Sequence, residues 1–307
     1  MDFQVKVEHC IKMRCNVLIQ GETGSGKDYL ASYIHRNSSQ SSSPFVAINC
    51  AAIPEQLFES ELFGHEQGAF TGAVQRKLGL VESARGGTLF LNEVGLLPIL
   101  SQAKILSYLD EGAFIRVGAS VSTIAKARII SASNTPLIDL VSVGLFRMDL
   151  YYRLAAMVID IPPLRKRDDF KELICTIFAD TASSAGCPDT LPSNDVLNIL
   201  MSYHYPGNVR QLRNIIEIAI DLSKGGEVLP CHVHFPSLDV TSKEDMCFNE
   251  LKTEIKVSTD QNLKTALNKA RDELIVKALN QTKGNVTQAA KLLGISRDSL
   301  KYFIHNA

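Results

Sequence analysis

Short apolar runs that alternate with helical stretches dominate the first half of the chain. They lie near residues 17–20, 45–49, 88–92, 128–133 and 157–161. Strands that alternate with helices are typical of an α/β fold with a parallel sheet, whose strands are buried on both faces and read as apolar runs. The pattern therefore predicts an α/β subdomain over residues 1–162, closed by a Pro-Pro pair.

The second half of the chain predicts helices in two groups. Residues 163–235 have helical spacing, and a mixed polar stretch over 236–262 predicts a linker. Residues 263–307 then show helical spacing, a break at Gly284 and a tight turn at Gly294. Helix, glycine turn and helix indicate a small all-α domain of the helix-turn-helix type. A small helical packing module is the alternative.

Composition and charge narrow the class of protein. Of the 307 residues 45% are hydrophobic and the net charge is −1, so no overall field attracts the chain to nucleic acid. The charge is uneven, because residues 264–307 hold eight basic against three acidic side chains, a patch suited to a phosphate backbone. The chain has seven cysteines but no Cys-x-x-Cys pair, no secretory signal and no apolar run of membrane-spanning length. These features predict a cytoplasmic protein with reduced thiols and no membrane partner.

A glycine-rich turn lies between the first predicted strand and a helical stretch that begins at Asp28. Glycines let backbone N–H groups turn inward as an anion nest, the following helix adds positive potential, and a lysine reaches the terminal phosphates. Strand, turn and helix in this order are the context that a phosphate-binding loop requires. The sequence predicts nucleotide binding by Gly21, Glu22, Thr23, Gly24, Ser25, Gly26 and Lys27.

A second unusual segment follows the second predicted strand. Residues 59–66 lead into a loop that consists of Gly68, Ala69, Phe70, Thr71, Gly72 and Ala73. Small residues around one Phe favour a mobile loop that presents an apolar ring to a partner, although an ordinary turn has a similar composition. Residues 59–73 together resemble the signature loop of the bacterial enhancer-binding proteins, which are AAA+ ATPases that remodel sigma-54 RNA polymerase. The resemblance implies that the loop binds the sigma-54 holoenzyme.

The third predicted strand ends in Asn92 and Glu93 and resembles the Walker B motif of this family. In the family the pair is Asp-Glu: the Asp holds Mg²⁺, and the Glu polarises the attacking water. The resemblance implies that Glu93 is the general base for ATP hydrolysis. It also implies that Mg²⁺ is held at Asp28 and, through water, at Asn92. Since Asn92 removes one negative charge beside the cation, we expect slower hydrolysis with nucleotide binding retained.

Further segments match the family in the expected order, and their roles are implied by the resemblance alone. Asn49, at the end of the second strand, would pair with the catalytic glutamate and restrain it. Asn134 follows the sensor I strand and would orient water near the γ-phosphate. Arg147 and Arg153 would be arginine fingers that reach a neighbouring subunit's γ-phosphate, so activity would require a ring. Arg210, on the sensor II helix, would contact the bound phosphates from a helical lid.

The C-terminal region resembles the Fis-type domain that ends most enhancer-binding proteins. In the family two copies pair, so the resemblance implies double-stranded DNA with a palindromic site as a partner. The implied DNA-binding residues are Thr287, Gln288, Ser296, Arg297, Asp298, Ser299, Lys301 and Tyr302.

The resemblance covers the chain from about residue 16 to 304, and two functions stay open. The first is a transcription activator that binds upstream DNA, forms an ATP-dependent ring, for which the resemblance implies a hexamer, and remodels the closed complex. The second is a hydrolysis-impaired regulatory subunit that acts in a mixed ring with a paralogous subunit, or as a modulator. An AAA+ machine for unrelated proteins is disfavoured by the loop. No sensory domain precedes the P-loop in this sequence, so control is expected from expression level, a separate protein partner or mixed assembly; loss of an N-terminal domain is the alternative.

Overall fold

The computed structural model describes residues 3–187 and 191–236. Farther along the chain it describes only Ile275, Val276, Ala278 and Val286. The chain divides into two units, residues 1–234 and 235–307, and the fold given below is that of the first unit. The predicted DNA-binding residues, and all but these four residues of the predicted helix-turn-helix domain, lie outside the described residues.

A five-stranded parallel sheet forms the centre of the first unit. In chain order the strands are β1 Val17–Gln20, β2 Phe45–Asn49, β3 Gly64–His65, β4 Lys77–Leu78, β5 Thr88–Asn92, β6 Ala113–Ile115, β7 Ser122–Ile124, β8 Arg128–Ser133 and β9 Met157–Asp160. The order of the strands in the sheet is β2-β5-β8-β1-β9, and these five strands lie where the apolar runs predict them. Two short antiparallel hairpins, β3-β4 and β6-β7, are separate from the sheet.

Helices cover the sheet and form the lid that follows it. Those of the α/β part are α1 Phe3–Lys12, α2 Lys27–Arg36, α3 Glu55–Phe63, α4 Leu80–Ser83, α5 Ile99–Glu111, α6 Leu137–Ser142 and α7 Met148–Leu154. The helices of the lid are α8 Phe170–Ser184, α9 Asn194–Ser202 and α10 Asn208–Ser223.

The sheet separates two apolar cores, because successive residues of a strand point to opposite faces. In β1, Leu18 belongs to the core that contains Leu89 and helix α5, whereas Val17 and Ile19 belong to the core that contains helix α2. Burial on both faces explains why the strands read as continuous apolar runs. Both faces are covered by helices, so the carboxyl ends of the strands are the place where a ligand cleft can form.

The two hairpins interrupt the α/β pattern on either side of β5. They are joined by backbone hydrogen bonds from Val117 N to Gly64 O and from Glu66 N to Val117 O, both 3.0 Å long. The hydrophobic pattern does not predict these hairpins, because strands of two or three residues are too short to show alternation. They support residues 66–76, which include the predicted partner loop.

The lid packs around Tyr205, whose side chain is fully buried and whose hydroxyl donates to Leu200 O at 2.8 Å.

No helix among the described residues has the length and apolarity needed to cross a membrane. Over the same residues, no group of three or more His, Cys, Asp or Glu side chains is placed to hold a metal ion. Cys231 and His232, the start of a Cys-His-Val-His run, both lie in the 3₁₀ turn Pro230–His232.

Candidate nucleotide site and partner loop

A cleft of about 860 Å³ lies at the carboxyl ends of the sheet strands, between the sheet and the lid. Residues 23–28 form one wall, and Arg210 of α10 faces them from the lid. Asn92 ends β5, Glu93 and Asn134 directly follow β5 and β8, and the three side chains close the inner end. The structure therefore brings together most of the predicted nucleotide residues, which are distant in the sequence.

The P-loop has the backbone conformation that an anion nest needs. Gly24 and Gly26 have φ angles of +76° and +96°, which are unfavourable for residues with a Cβ. A Cβ on Gly24 would also lie 2.2 Å from the carbonyl oxygen of Gly207 in the lid. Gly26 is the N-cap of α2, so the N-terminus of this helix points its free N–H groups at the loop.

Lys27 is 6% exposed and is held by three oxygens. Its Nζ donates to Gly21 O at 2.8 Å, to Glu22 O at 3.1 Å and to the side-chain oxygen of Asn134. Burial lowers the pKa of Lys27, while the nearby carboxylates of Glu93 and Asp28 act in the opposite direction. A bound phosphate would offer Lys27 a charged acceptor in place of these neutral ones.

Asn134 joins Lys27 to Glu93. Its amide nitrogen donates to Glu93 Oε1 while its oxygen accepts from Lys27. Glu93 has φ of +56°, a conformation uncommon for non-glycine residues and frequent at functional sites. The network fixes the carboxylate of Glu93 at the inner end of the cleft.

Asn49 lies beside Asn92 on the neighbouring strand. Its amide oxygen accepts from Ala51 N at 3.0 Å and caps the short 3₁₀ helix over residues 50–52. Among the described residues, the hydrogen bonds to the Glu93 carboxylate come from Asn134 and not from Asn49. The pairing of Asn49 with Glu93 stays a prediction.

Asn92 and Asp28 form a direct pair at the position where the sequence predicts Mg²⁺. The amide nitrogen of Asn92 donates to Asp28 Oδ1 at 2.8 Å, and its oxygen accepts from Glu93 N at 3.0 Å. The oxygen of Asn92 is thus occupied, and its donor points at the carboxylate that would bind the cation. Mg²⁺ prefers oxygen ligands, so the residues in this arrangement do not fit the predicted magnesium site.

The lid is fastened to the P-loop through Glu22. Arg165 binds both carboxylate oxygens of Glu22, at 2.6 and 2.9 Å, and Asn208 donates to the same carboxylate at 3.1 Å. The hydrogen bond from Arg165, with a smaller contribution from Asn208, lowers the pKa of Glu22 to about 2. Asn208 also donates to Thr23 O at 3.0 Å and accepts from Leu164 N at 2.8 Å. The side chain of Glu22 therefore faces the lid, and the contact of Glu22 with phosphate stays a prediction.

Residues 68–73 form a compact exposed loop. Gly68 and Gly72 have φ of +79° and +106°, and Gly68 N donates to Ala73 O at 2.9 Å across the base. The side chain of Phe70 is 40% exposed, and one side of its ring packs edge-on against His65, with ring centroids 5.0 Å apart. His65 is itself fixed by Ser60 Oγ at 2.7 Å. The loop presents a half-covered aromatic ring on a defined platform.

A partly buried ion pair supports the base of this loop. Arg116, in the connection between β6 and β7, binds both oxygens of Glu82 at 3.0 and 2.8 Å and lies 3.4 Å from an oxygen of Glu66. Ala69 packs closely against Gly118, so that a Cβ added to Gly118 would lie 2.7 Å from the Cβ of Ala69. The second hairpin thus holds the loop in place.

Family models match three consecutive parts of the chain. The model described as "Sigma-54 interaction domain" matches residues 2–160, which is more than half of the chain. The chain belongs to the sigma-54 interaction domain family. The models described as "AAA+ ATPase lid domain" and "Bacterial regulatory protein, Fis family" match residues 165–245 and 272–302. The chain therefore combines an AAA+ nucleotide-binding domain and lid with a Fis-type helix-turn-helix domain, as the resemblance implied.

Characterised members of the family are similar over nearly the whole chain. Regulatory protein AtoC of Escherichia coli (strain K12) is 40% identical over 94% of this chain and 62% of its own length. Nitrogen fixation protein VnfA of Azotobacter vinelandii is 41% identical over 94% of this chain and 54% of its own length. The crystal structure of NtrX from Brucella abortus in complex with ATP is 28% identical with a TM-score of 0.68, over 99% of this chain and 66% of that one. The chain spans between half and two thirds of the length of these curated relatives.

The two family-implied arginine fingers lie outside the cleft of their own subunit. Arg147 binds Asp149 through two hydrogen bonds of 3.0 and 2.7 Å. Arg153 lies on α7, and its Nε is 3.1 Å from Asp110 Oδ1. Both arginine side chains are partly exposed. Their place on the surface is compatible with a role at a subunit interface, which stays a prediction.

Several residues that hold the P-loop and the partner loop in place were not identified from the sequence motifs. Arg165, Arg116 and Asn208 make the contacts that place the P-loop and the partner loop, yet only Asn208 lies inside a recognised motif. The signal that could have singled out Asn208 is its position after Pro-Gly, where a residue that tolerates positive φ is favoured. Its φ is +48°.

Replacing Asn208 by Ala should destabilise the lid. The substitution leaves the buried Leu164 N–H without its hydrogen-bond acceptor. It also places alanine, which tolerates positive φ less well than asparagine does, at a position with φ of +48°. We expect a loss of about 3 kcal/mol in the free energy of unfolding, together with weaker nucleotide binding. Thermal unfolding and nucleotide titration measure the two effects. Asn194→Ala, at an exposed helix start, is the matched control, and an equal loss there would contradict the role of Asn208.

Proposed function

We propose that this protein is an ATP-binding transcription activator that acts on sigma-54 RNA polymerase. The observation that carries the proposal is the loop of residues 68–73, exposed and braced by two hairpins, in a chain of the sigma-54 interaction domain family. An AAA+ protein freed from contact with sigma-54 has no physical need for such a loop. The Fis-type domain would bind a palindromic site in double-stranded DNA and raise the local concentration of the activator at the promoter.

The cleft supports ATP as the nucleotide, as in the NtrX complex. The P-loop N–H groups and Lys27 bind the phosphates, and Arg210 approaches them from the lid. When Lys27 turns to the phosphate it leaves Asn134, whose oxygen becomes available to the attacking water. Glu93 then accepts a proton from this water at its carboxylate while the water oxygen bonds to the γ-phosphorus and the bond from that phosphorus to the ADP oxygen breaks. Because the lid is tied to the P-loop through Glu22, a change of nucleotide also moves the lid.

A ring is the second part of the proposal. Arg147 and Arg153 would leave Asp149 and Asp110 and reach the γ-phosphate bound by a neighbouring copy, where they stabilise transition-state charge. Each site would then combine Glu93 of one subunit with arginines of the next. A paralogous subunit could take either place.

Mixing two inactive variants should restore hydrolysis if sites are shared. We would place Arg147→Ala and Glu93→Gln separately in the Asn92→Asp protein, where turnover is expected to be measurable. An equal mixture should regain up to about a quarter of the parent's ATPase rate, because about one interface in four joins two intact halves. The control mixes Glu93→Gln with a variant that carries both Arg147→Ala and Glu93→Gln, again in the Asn92→Asp protein, and it should stay inactive because no subunit retains Glu93. A mixture no more active than its parts would argue against shared sites.

A second function is favoured by the pair formed by Asn92 and Asp28. A carboxylate at position 92 would supply an oxygen ligand, whereas the amide supplies a donor. The protein would then bind ATP with little hydrolysis and serve as a regulatory subunit that donates Arg147 and Arg153 to an active neighbour. The intact partner loop argues against a repressor that never contacts sigma-54.

The proposed activity is tested by open-complex formation on a sigma-54 promoter with purified holoenzyme and ATP. One reaction contains the protein alone, and a second contains the protein mixed with a paralogous activator. Each is compared with the same reaction from which ATP is omitted. Open complexes formed by the protein alone support a self-sufficient activator. A changed yield only in the mixture supports the regulatory subunit, and no effect in either reaction would overturn both functions.

A further inference from the structure

The hydrogen bonds of Asn92 assign the two ends of its amide group. The backbone N–H of Glu93 can only donate, so the atom of Asn92 that lies 3.0 Å from it is the oxygen. The nitrogen therefore faces Asp28 Oδ1, at 2.8 Å. Asp28 is the first acidic residue of α2, directly after Lys27. The carboxylate next to the phosphate-binding lysine is thus held by a neutral donor from the neighbouring strand.

A carboxylate at position 92 would change this contact from attraction to repulsion. Two carboxylate oxygens 2.8 Å apart are stable only with a shared proton or a cation between them. The amide of Asn92 stabilises the Asp28 carboxylate without a shared proton or a cation, because it donates a hydrogen bond to Asp28. Compared with a carboxylate at position 92, it also keeps the local charge one unit less negative. The phosphates of a nucleotide are repelled less strongly by such a site, and their remaining partners, the P-loop N–H groups and Lys27, require no metal.

We propose that the Asn92–Asp28 pair removes the need for a divalent cation at this position, so that the cleft binds nucleoside di- and triphosphates equally well with and without Mg²⁺. This inference rests on the proposed nucleotide binding and adds a property that the active or the regulatory form of the protein would share. The protein would hold its nucleotide under conditions in which a site with two facing carboxylates would release it.

The test is equilibrium binding of a fluorescent ADP analogue to the full chain, in Mg²⁺ and in EDTA. The affinity of the natural protein should differ by less than about threefold between the two conditions, whereas Asn92→Asp should bind at least about tenfold more weakly in EDTA. The matched control is the exchange of both residues, Asp28→Asn with Asn92→Asp, which keeps the total charge and rebuilds one amide–carboxylate pair. It should bind in EDTA more tightly than Asn92→Asp.

A second measurement uses no nucleotide. Mg²⁺ alone should raise the thermal unfolding temperature of Asn92→Asp and leave that of the natural protein unchanged, because only the variant offers the cation two facing carboxylates. Loss of tenfold or more in affinity when EDTA is added to the natural protein would overturn the inference while the proposed nucleotide binding stands. Absence of binding under both conditions would overturn the nucleotide-binding proposal itself, and the inference with it.

Discussion

Replacing Asn92 by Asp is expected to raise the steady-state rate of ATP hydrolysis in Mg²⁺ by about a hundredfold. In the natural protein the amide nitrogen of Asn92 donates a hydrogen bond to Asp28, and its amide oxygen accepts one from Glu93 N. An Asp at the same position offers oxygen ligands to the cation that accompanies ATP, next to the carboxylate of Glu93. The measurement is phosphate release over a range of protein concentrations, since a ring should show cooperative dependence on concentration.

The control for this experiment is Glu93→Gln in the Asn92→Asp protein. It keeps the size of the side chain and the new carboxylate but removes the proton acceptor, so the gain in rate should disappear. If the natural protein already hydrolyses ATP as fast as Asn92→Asp does, Glu93 is sufficient without a Walker B aspartate. The regulatory-subunit function would then lose its main support.

Replacing Phe70 by Ala, or Thr71 by Ala, should reduce open-complex formation by at least about a hundredfold and leave nucleotide affinity unchanged. None of the loop residues lines the nucleotide cleft, so the substitutions should not alter that site. An aromatic ring that is half covered by His65 can swing onto a partner and bury its remaining surface there, and loss of such an anchor removes several kcal/mol of binding. The assay compares promoter opening and ADP binding for the same preparations.

Val74→Ala is the matched control for the loop. Val74 is 74% exposed and follows the loop directly, yet it lies outside the glycine-bounded segment. It should retain promoter opening. Full activity in Phe70→Ala and Thr71→Ala would remove the loop from the partner interface, whereas a parallel loss of ADP affinity would indicate a folding defect instead. If the natural protein opens promoters only in a mixed ring, the same comparison is made in that mixture.

Local pattern was enough to predict much of this protein. The five strands of the sheet lie where the apolar runs predict them, because strands buried on both faces need apolar side chains at nearly every position. The P-loop could be placed from its glycines and the elements on either side of it. The segment from Glu59 to Ala73 carried the resemblance to a family that the chain was found to belong to. In each of these segments the conformation depends mainly on residues that are close together in the sequence.

Only the tertiary structure decided how these parts act on one another. Asn92 and Asp28 are 64 positions apart and look like two independent departures from motifs, yet they form one hydrogen-bonded pair. Glu22, assigned to phosphate by its place in the P-loop, binds Arg165 of the lid across 143 positions. The hydrophobic pattern could not reveal these pairs, because it determines which face of an element is buried and not which polar side chains meet at its end. The meeting depends on strand order and lid packing, which are set by the whole core at once.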